Sequence, residues 1–245
     1  MEFKGSSVYD QSDFLTNYLK RKNREESPNN AIEGPIIKEL IGDVSDLDIL
    51  DVGCGDASFG KELLELGANS YTGVEGSSQM ASLAIQNVNG LNGKIVNETM
   101  ETFIYPDNEY DLVTSRFAIH YIEDITILFN DVLKTLKGNG KFVFSVQHPV
   151  TTSSFESIKT GGKRENWIVD QYFNEGVRNE PWIDKVVVKY HRTVEQYFMA
   201  LRKAGFEIEE LREGTPRREN FKSDEEFARR QRIPLVLIFS CKKIK

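Results

Sequence analysis

The sequence has few cysteines, few histidines and no long apolar run. Its two cysteines, Cys54 and Cys241, lie far apart and match neither a CxxC pair nor a zinc-binding spacing. A disulfide framework is therefore excluded, and a reducing cytoplasm is the expected location. The three histidines form no pattern with acids that would predict a metal site. No stretch of about eighteen apolar residues predicts a membrane span, and the N-terminus, MEFKGSSVYD, lacks the apolar core of a signal peptide.

Basic charge is also in deficit. The chain of 245 residues carries 31 Lys and Arg against 38 Asp and Glu, which gives a net charge of −7. This balance opposes tight binding to a nucleic-acid backbone unless a local basic patch overrides it. The candidate patch consists of arginines near the C-terminus: Arg217, Arg218, Arg229, Arg230 and Arg232. Because acidic residues are interspersed among them, a solvated surface is the favoured interpretation, and we expect neither a nucleic-acid partner nor a membrane partner.

Length and pattern together predict one α/β domain over residues 1–245. Apolar strands alternate with amphipathic helices, which is typical of a doubly wound sheet. Two helices, at 10–22 and 31–41, are predicted within an N-terminal segment, 1–45. The predicted strands are 47–52, the stretch SYTGVEG from Ser70, 93–97, 110–115, 140–147, 206–211 and 235–241.

The interval 148–190 breaks this alternation. It is far longer than an ordinary connection, and long segments inside a compact domain are usually functional or disordered. Its two tryptophans and the strand-like run KVVVKY disfavour disorder. We therefore predict a lid that covers the carboxyl edge of the sheet.

Glycines separate the first core strand from its helix in DILDVGCGDASFG, residues 48–60. Such a turn lets backbone N–H groups approach a ligand with no Cβ in the way. The dinucleotide fingerprint GxGxxG needs a third glycine at position 58, which is Ser58 here. Glu75 follows the second strand, where a carboxylate can accept hydrogen bonds from both hydroxyls of a ribose. The alternative for Glu75 is an acid placed by the dipole of the next helix.

Four stretches, in this order and spacing, resemble the class I S-adenosylmethionine-dependent methyltransferases, in particular a type 11-like group that acts on small molecules. They are LDVGCGDASFG, VEGS, YPDNEYDLVTSRFAIHYIED and VLKTLKGNGKFVFSVQHP. The resemblance implies a Rossmann-like doubly wound seven-stranded sheet whose last strand is antiparallel, with N-terminal helices and a lid inserted after the fifth strand. It also implies S-adenosylmethionine as cofactor, S-adenosylhomocysteine as product and direct in-line methyl transfer.

The resemblance assigns the cofactor's methionine and ribose to particular residues. The methionine end is expected over Gly53, Cys54 and Gly55, and the ribose on Glu75 beside Gly76. Asp51, within the first strand, is expected to act on the cofactor's ammonium group, either through water or by shaping the loop. The alternative is an acid at a strand end that hydrogen-bonds the glycine turn.

The adenine is expected beside the loop after the third strand. Relatives often carry an aspartate and then a small residue there, whereas this chain has Thr99 and Met100, followed by Glu101. A backbone N–H at Met100 and packing of its side chain on the ring are the expected substitutes. The wall around the methionine moiety is matched by the residues after the fourth strand: Ser115, Arg116 and Phe117.

Two histidines are candidate catalytic bases. Ligands of such sheets bind beyond the carboxyl ends of the strands, and His120 and His148 follow the fourth and fifth predicted strands. Each is alternatively an ordinary core or surface residue. The expected substrate-binding residues are Tyr9 and Tyr18 of the N-terminal segment and Trp167, Tyr172 and His191 of the lid and its end. The alternatives are that the two tyrosines only attach that segment and that His191 only braces the lid.

The sequence thus predicts a methyltransferase for a small-molecule acceptor. The alternatives are an RNA or protein methyltransferase and a non-catalytic, cofactor-binding regulatory protein. The sequence leaves open the acceptor atom (nitrogen, oxygen, carbon or sulfur) and the oligomeric state.

Overall fold

The chain begins with a short strand and two helices. In the computed structural model, which describes residues 2–153 and 166–244, strand β1 (Glu2–Lys4) leads into a 3-10 helix (Gly5–Asp10) and helix α1 (Ser12–Lys22). A π-helical turn (Pro28–Glu33) continues into α2 (Gly34–Ile41). The two predicted N-terminal helices are present. The sequence did not predict β1, because three residues are too few to show a readable alternation.

Strands and helices then alternate as predicted. They are β2 (Asp48–Val52), α3 (Ser58–Glu65), β3 (Ser70–Val74), α4 (Ser78–Val88), β4 (Gly93–Val96), β5 (Tyr110–Arg116), α5 (Ile125–Thr135) and β6 (Leu136–Gln147). Strand β6 begins four residues before the predicted start at 140, because Leu136 already pairs with Tyr110. Local capping starts two of the helices: the side chains of Ser77 and Asp124 accept backbone N–H bonds at the starts of α4 and α5.

A second, smaller sheet occupies the predicted lid interval. After the short helix α6 (Pro149–Thr152), strands β7 (Gly176–Trp182) and β8 (Lys185–His191) form an antiparallel hairpin. Strand β1 pairs with β8 in parallel, so the sheet has the order β1-β8-β7. Residues 154–165 of the predicted lid lie outside the described residues. The lid is therefore joined to the N-terminal segment by strand pairing.

The last elements complete the large sheet. They are α7 (Val194–Ala204), β9 (Phe206–Arg212), α8 (Asp224–Arg230) and β10 (Val236–Lys243). The seven strands lie in the order β4-β3-β2-β5-β6-β10-β9, and β10 is antiparallel to both of its neighbours. The predicted seven-stranded sheet with an antiparallel last strand is confirmed. Because the chain crosses from the edge strand β4 back to β5 beside β2, a crevice opens at the carboxyl ends of β2 and β5.

Apolar side chains cover both faces of this sheet. Helices α5 and α7 pack on one face, and α2, α3 and α4 pack on the other. A Cβ at Gly60 would lie 2.1 Å from Cζ of Tyr71, so this glycine lets α3 lie directly on the tyrosine ring. Within the described ranges, no helix combines the length and the apolar character that crossing a membrane requires.

Candidate functional site

A cavity of about 460 Å³ lies at the carboxyl edge of the large sheet, where the crevice between β2 and β5 opens. Its floor comes from the turns after β2, β3 and β5, including Gly53, Glu75 and Phe117. Its roof comes from the N-terminal segment (residues 4–7, 9, 10 and 18) and from β8. The volume lies within the range of about 300–1,000 Å³ that is typical of small-molecule pockets.

The N-terminal roof is fixed to the start of α4. The Asp10 carboxylate accepts hydrogen bonds from the Ser77 hydroxyl at 2.8 Å and from the Gln79 backbone N–H at 3.2 Å. A Cβ at Gly76 would lie 2.3 Å from Oγ of Ser6, so the 3-10 helix rests directly on this turn. The sequence analysis missed Asp10, because an acid in a predicted helix gives no sign of a partner on a distant helix.

The glycine turn after β2 uses its backbone donors internally. The N–H groups of Gly53 and Cys54 donate to the Val74 carbonyl at 2.8 and 3.1 Å, and the N–H of Gly55 donates to Oε2 of Glu75 at 2.9 Å. These groups were expected to approach a ligand, but they hold the turn on β3 instead. They are therefore not available to bind a pyrophosphate.

Glu75 is held rigidly at the cavity. Its side chain is buried, and Oε1 accepts the Ser77 N–H at 2.8 Å while Oε2 accepts the Gly55 N–H. Burial raises the pKa of Glu75, and the two N–H bonds oppose that effect. A carboxylate has about four acceptor sites, so each oxygen keeps capacity for a ligand hydroxyl.

Arg116 lines the cavity as part of a buried ion pair. Its Nε donates to both carboxylate oxygens of Glu33 at 3.0 and 3.1 Å, and its guanidinium lies 4.4 Å from the centre of the Phe59 ring. Burial lowers the pKa of Arg116, but Glu33 outweighs burial and leaves that pKa raised. The positive charge of Arg116 is thus balanced within the protein.

The chain after β4 forms another wall. Thr99, Met100 and Glu101 all line the cavity. The Tyr105 hydroxyl donates to the Met100 carbonyl at 3.0 Å, which fixes this loop. A Cβ at Gly53 would lie 3.6 Å from Cε of Met100 and 2.5 Å from Cβ of Ala118. Any side chain at position 53 would therefore fill the cavity between these walls.

Comparisons with known proteins agree on one family. A profile of the "Methyltransferase domain" family matches residues 50–144. The crystal structure of a putative S-adenosylmethionine-dependent methyltransferase from Listeria monocytogenes is 31% identical and covers 87% of this chain and 97% of its own, with a TM-score of 0.78. The S-adenosylmethionine-dependent methyltransferase from Mesorhizobium loti is also 31% identical, over 88% of this chain and 99% of its own, with a TM-score of 0.79. This chain belongs to the S-adenosylmethionine-dependent methyltransferases. An uncharacterised protein of Haemophilus influenzae is 31% identical over 84% of this chain and 85% of its own length.

The residues of this methyltransferase fit its cofactor, S-adenosylmethionine. The turn at Gly53 leaves a cradle that a Cβ would fill, and the buried Glu75 carboxylate faces the same cavity with spare acceptor capacity. The internal use of the glycine-turn donors suits a ligand without phosphate groups. Of the predicted cofactor-binding residues, nine line the cavity: Gly53, Gly55, Glu75, Gly76, Thr99, Met100, Glu101, Arg116 and Phe117.

Three predicted cofactor-binding residues lie behind the cavity wall. The Ser115 hydroxyl donates to the Val52 carbonyl at 2.8 Å, and the Cys54 side chain points at β3, where a Cβ on Gly73 would lie 2.7 Å from its sulfur. Asp51 accepts the Tyr71 hydroxyl on Oδ2 at 2.9 Å, and within the described residues its Oδ1 accepts no hydrogen bond. In the described part of the chain Asp51 accepts no hydrogen bond from the glycine turn, so its role toward the cofactor stays a prediction.

The two predicted catalytic histidines of the methyltransferase do not line the cavity. His120 is buried, its Nδ1 accepts the Gln147 N–H at 3.4 Å, and burial lowers its pKa well below the usual value. Nδ1 of His148 accepts the Val150 N–H at the start of α6, and its Nε2 lies 3.1 Å from Oε1 of Glu213. His148 thus caps α6 and His120 packs in the core, and their catalytic roles stay predictions.

The predicted lid residues also lie away from the cavity. Trp167 stacks on Arg232, with 4.7 Å between the ring centre and the guanidinium carbon. Nε2 of His191 lies 2.8 Å from the Tyr172 carbonyl, and the Tyr172 hydroxyl accepts the Val194 N–H at 3.3 Å. These contacts brace the lid, and the substrate-binding roles of Trp167, Tyr172 and His191 stay predictions.

Four tyrosines are among the described residues that line the cavity. Tyr9 and Tyr18 line it as predicted, and Tyr121 and Tyr190 line it although the sequence analysis did not select them. Tyr121 directly follows His120 in a 3-10 helix, so one side chain points into the core and the next into the cavity. The sequence could place this pair of residues after β5, but it could not show that Tyr121, rather than His120, faces the cavity.

Replacing Asp51 with asparagine is expected to stabilise the methyltransferase at pH 8 by roughly 1–2 kcal/mol. Burial raises the pKa of Asp51 to about 6, so the folded protein must ionise a buried acid as pH rises through 6. The stability that the protonated form contributes is complete below about pH 4 and is lost above pH 6. Urea unfolding at pH 8 and at pH 4.5 should show the variant's advantage at pH 8 and its loss at pH 4.5.

Asp48 on the same strand provides a control of opposite sign. Lys137 donates to it and lowers its pKa to about 2. Asp48→Asn should therefore destabilise the protein at pH 8, with a difference that shrinks only as pH falls toward 2. An Asp51→Asn variant that is less stable than the wild type at pH 8 would contradict the account of Asp51.

Proposed function

We propose that this methyltransferase acts on a small-molecule acceptor bound in the cavity beside the cofactor. The observation that carries the proposal is the roof over the cavity. Residues 4–7, 9, 10 and 18 cover it from the N-terminal segment, and Val188 and Tyr190 cover it from the hairpin. The net charge of −7 further disfavours RNA.

Within this proposal, the cavity floor holds the cofactor. Glu75 accepts the ribose hydroxyls, and the turn at Gly53 and Gly55 lies against the methionine end. Met100 packs on the adenine, with Thr99 and Glu101 beside it. Arg116 and Phe117 form the wall around the methionine moiety. These assignments rest on the lining of one cavity by all of these residues.

When bound, S-adenosylmethionine supplies a methyl group on a positively charged sulfur, which is already activated for transfer. The protein's part is then to align the acceptor and to exclude water. Fixed alignment alone can contribute roughly 7–11 kcal/mol to lowering the barrier. Alignment needs rigid cavity walls. Three features provide this rigidity: the ion pair of Arg116, the hydrogen bonds within the protein that hold Glu75, and the capped start of α4.

The test uses isotope-labelled S-adenosylmethionine with three fractions of a bacterial extract: small metabolites, RNA and protein. We expect the label to enter the metabolite fraction, where mass spectrometry identifies the product. Excess S-adenosylhomocysteine should suppress this labelling. Label in RNA or protein alone would replace the proposal with the corresponding macromolecular substrate. Binding of S-adenosylhomocysteine without transfer to any fraction would favour a regulatory protein.

A further inference from the structure

Three tyrosines meet in the cavity. Tyr9 and Tyr18 come from the roof, Tyr121 comes from the turn after β5, and all three line the cavity. The hydroxyl oxygens of Tyr9 and Tyr121 lie 3.5 Å apart. The ring centres of Tyr9 and Tyr18 lie 4.9 Å apart, and their ring planes meet at 71°, so the two rings are nearly perpendicular. We call these residues the tyrosine trio.

The trio is fixed from behind by the lid hairpin. The Trp182 ring packs edge-on against Tyr9 and Tyr18, with centre distances of 6.3 and 5.7 Å. The ammonium group of Lys189, which is paired with Glu180, lies 5.5 Å from the centre of the Tyr121 ring. These contacts pack the three rings against the lid hairpin and restrict their rotamers.

The charges that line the cavity favour a cation. Among the described residues that line it, four carry carboxylates (Asp10, Glu75, Glu101 and Glu123) and two carry basic side chains (Lys4 and Arg116). Glu33 already balances Arg116. Burial raises the pKa of each member of the trio, so the three hydroxyls stay neutral at physiological pH. Neutral tyrosines offer ring faces that attract cations and hydroxyl oxygens that accept N–H bonds.

The described lining of the cavity contains no histidine and no cysteine. Histidine is the commonest general base for an alcohol or phenol acceptor near neutral pH, so its absence from the described lining favours an acceptor that needs no such base. His120 directly precedes Tyr121 in the sequence, but its side chain is buried behind the cavity wall and accepts a backbone N–H bond. An amine does not need such a group, because it loses a proton to water and then carries its own lone pair.

We propose that the acceptor atom is an amine nitrogen, and that the tyrosine trio receives it. The nitrogen lone pair forms the new N–CH₃ bond, the electrons of the broken C–S bond remain on sulfur, and the methylated nitrogen carries the positive charge. Tyr9 and Tyr121 accept N–H bonds from the amine, and the rings of Tyr9 and Tyr18 face its charge. This inference rests on the proposed function, since it specifies the acceptor of the same cavity.

The test is a binding experiment that does not depend on turnover. Protein saturated with S-adenosylhomocysteine is titrated by calorimetry with choline and with 3,3-dimethylbutan-1-ol, which has the same shape but no charge. We expect choline to bind at least about tenfold more tightly, as a desolvated cation on aromatic rings should. Tyr18→Leu should remove most of this preference. Tyr18→Phe, which keeps the ring, should retain it.

Tyr197→Phe is the matched control, because Tyr197 is buried in the core and does not line the cavity. It should leave the preference for choline unchanged. Equal binding of the two probes to the wild type, or a preference that survives Tyr18→Leu, would overturn the amine acceptor while leaving the methyltransferase assignment intact. Failure of the wild type to bind S-adenosylhomocysteine would instead overturn the proposed function, and this inference with it.

Discussion

Replacing Arg116 with methionine is expected to lower the free energy of unfolding by about 3–5 kcal/mol, because the change leaves a buried carboxylate without its counter-charge. Glu33 is fully buried, and besides Arg116 only the Ser145 hydroxyl, at 2.8 Å, is seen to donate to it within the described chain. For a chain of this size the loss corresponds to a fall of about 6–20 °C in the unfolding temperature. Urea unfolding followed by circular dichroism measures it.

Arg217 provides a matched control on the surface. Arg217 also forms a bidentate ion pair, with Glu39, but both side chains are more than a third exposed. Arg217→Met should therefore cost less than about 1 kcal/mol. Changing Arg116 to methionine and Glu33 to leucine together should recover most of the loss, since no charge then remains buried. Equal costs at Arg116 and Arg217 would show that burial of Glu33 does not matter.

The sheet and the cavity floor could be predicted from the sequence because both depend on local patterns. Buried parallel strands are short apolar runs, so β2, β3 and β5 were found within a residue or two of their ends. Ligands bind at the carboxyl ends of such strands, which placed the glycine turn and Glu75 correctly at one cavity. Predicting either feature requires no knowledge of contacts between residues that are distant in the sequence.

The acceptor side could not be predicted because it depends on contacts between distant segments. Strand β1 pairs with β8, and Asp10 attaches the segment that carries Tyr9 and Tyr18 to the start of α4. Histidine was favoured for its chemistry, but side-chain direction in a 3-10 turn put Tyr121 in the cavity and His120 in the core. Sequence gives the residue types near a site more readily than their orientation.

Glu75→Ala is expected to weaken binding of S-adenosylhomocysteine by one to two orders of magnitude. Hydrogen bonds to a charged group contribute roughly 1.5–3 kcal/mol, and about 1.4 kcal/mol is a factor of ten in affinity. The variant also leaves the N–H groups of Gly55 and Ser77 without their acceptor, so a modest fall in thermal stability should accompany the loss. Calorimetry well below the unfolding temperature separates the two effects.

An analogue of the ligand tests whether the Glu75 carboxylate binds the ribose or only holds the glycine turn. The 2′-deoxy analogue of S-adenosylhomocysteine lacks one of the hydroxyls that the carboxylate is proposed to accept. The wild type should bind this analogue about tenfold more weakly than the parent, whereas Glu75→Ala should barely distinguish the two, because the partner of that hydroxyl is already gone. Glu98→Ala, which removes an exposed acid that does not line the cavity, should behave as the wild type. If Glu75→Ala discriminates as strongly as the wild type, the carboxylate only supports the glycine turn, and the ribose is held by another group.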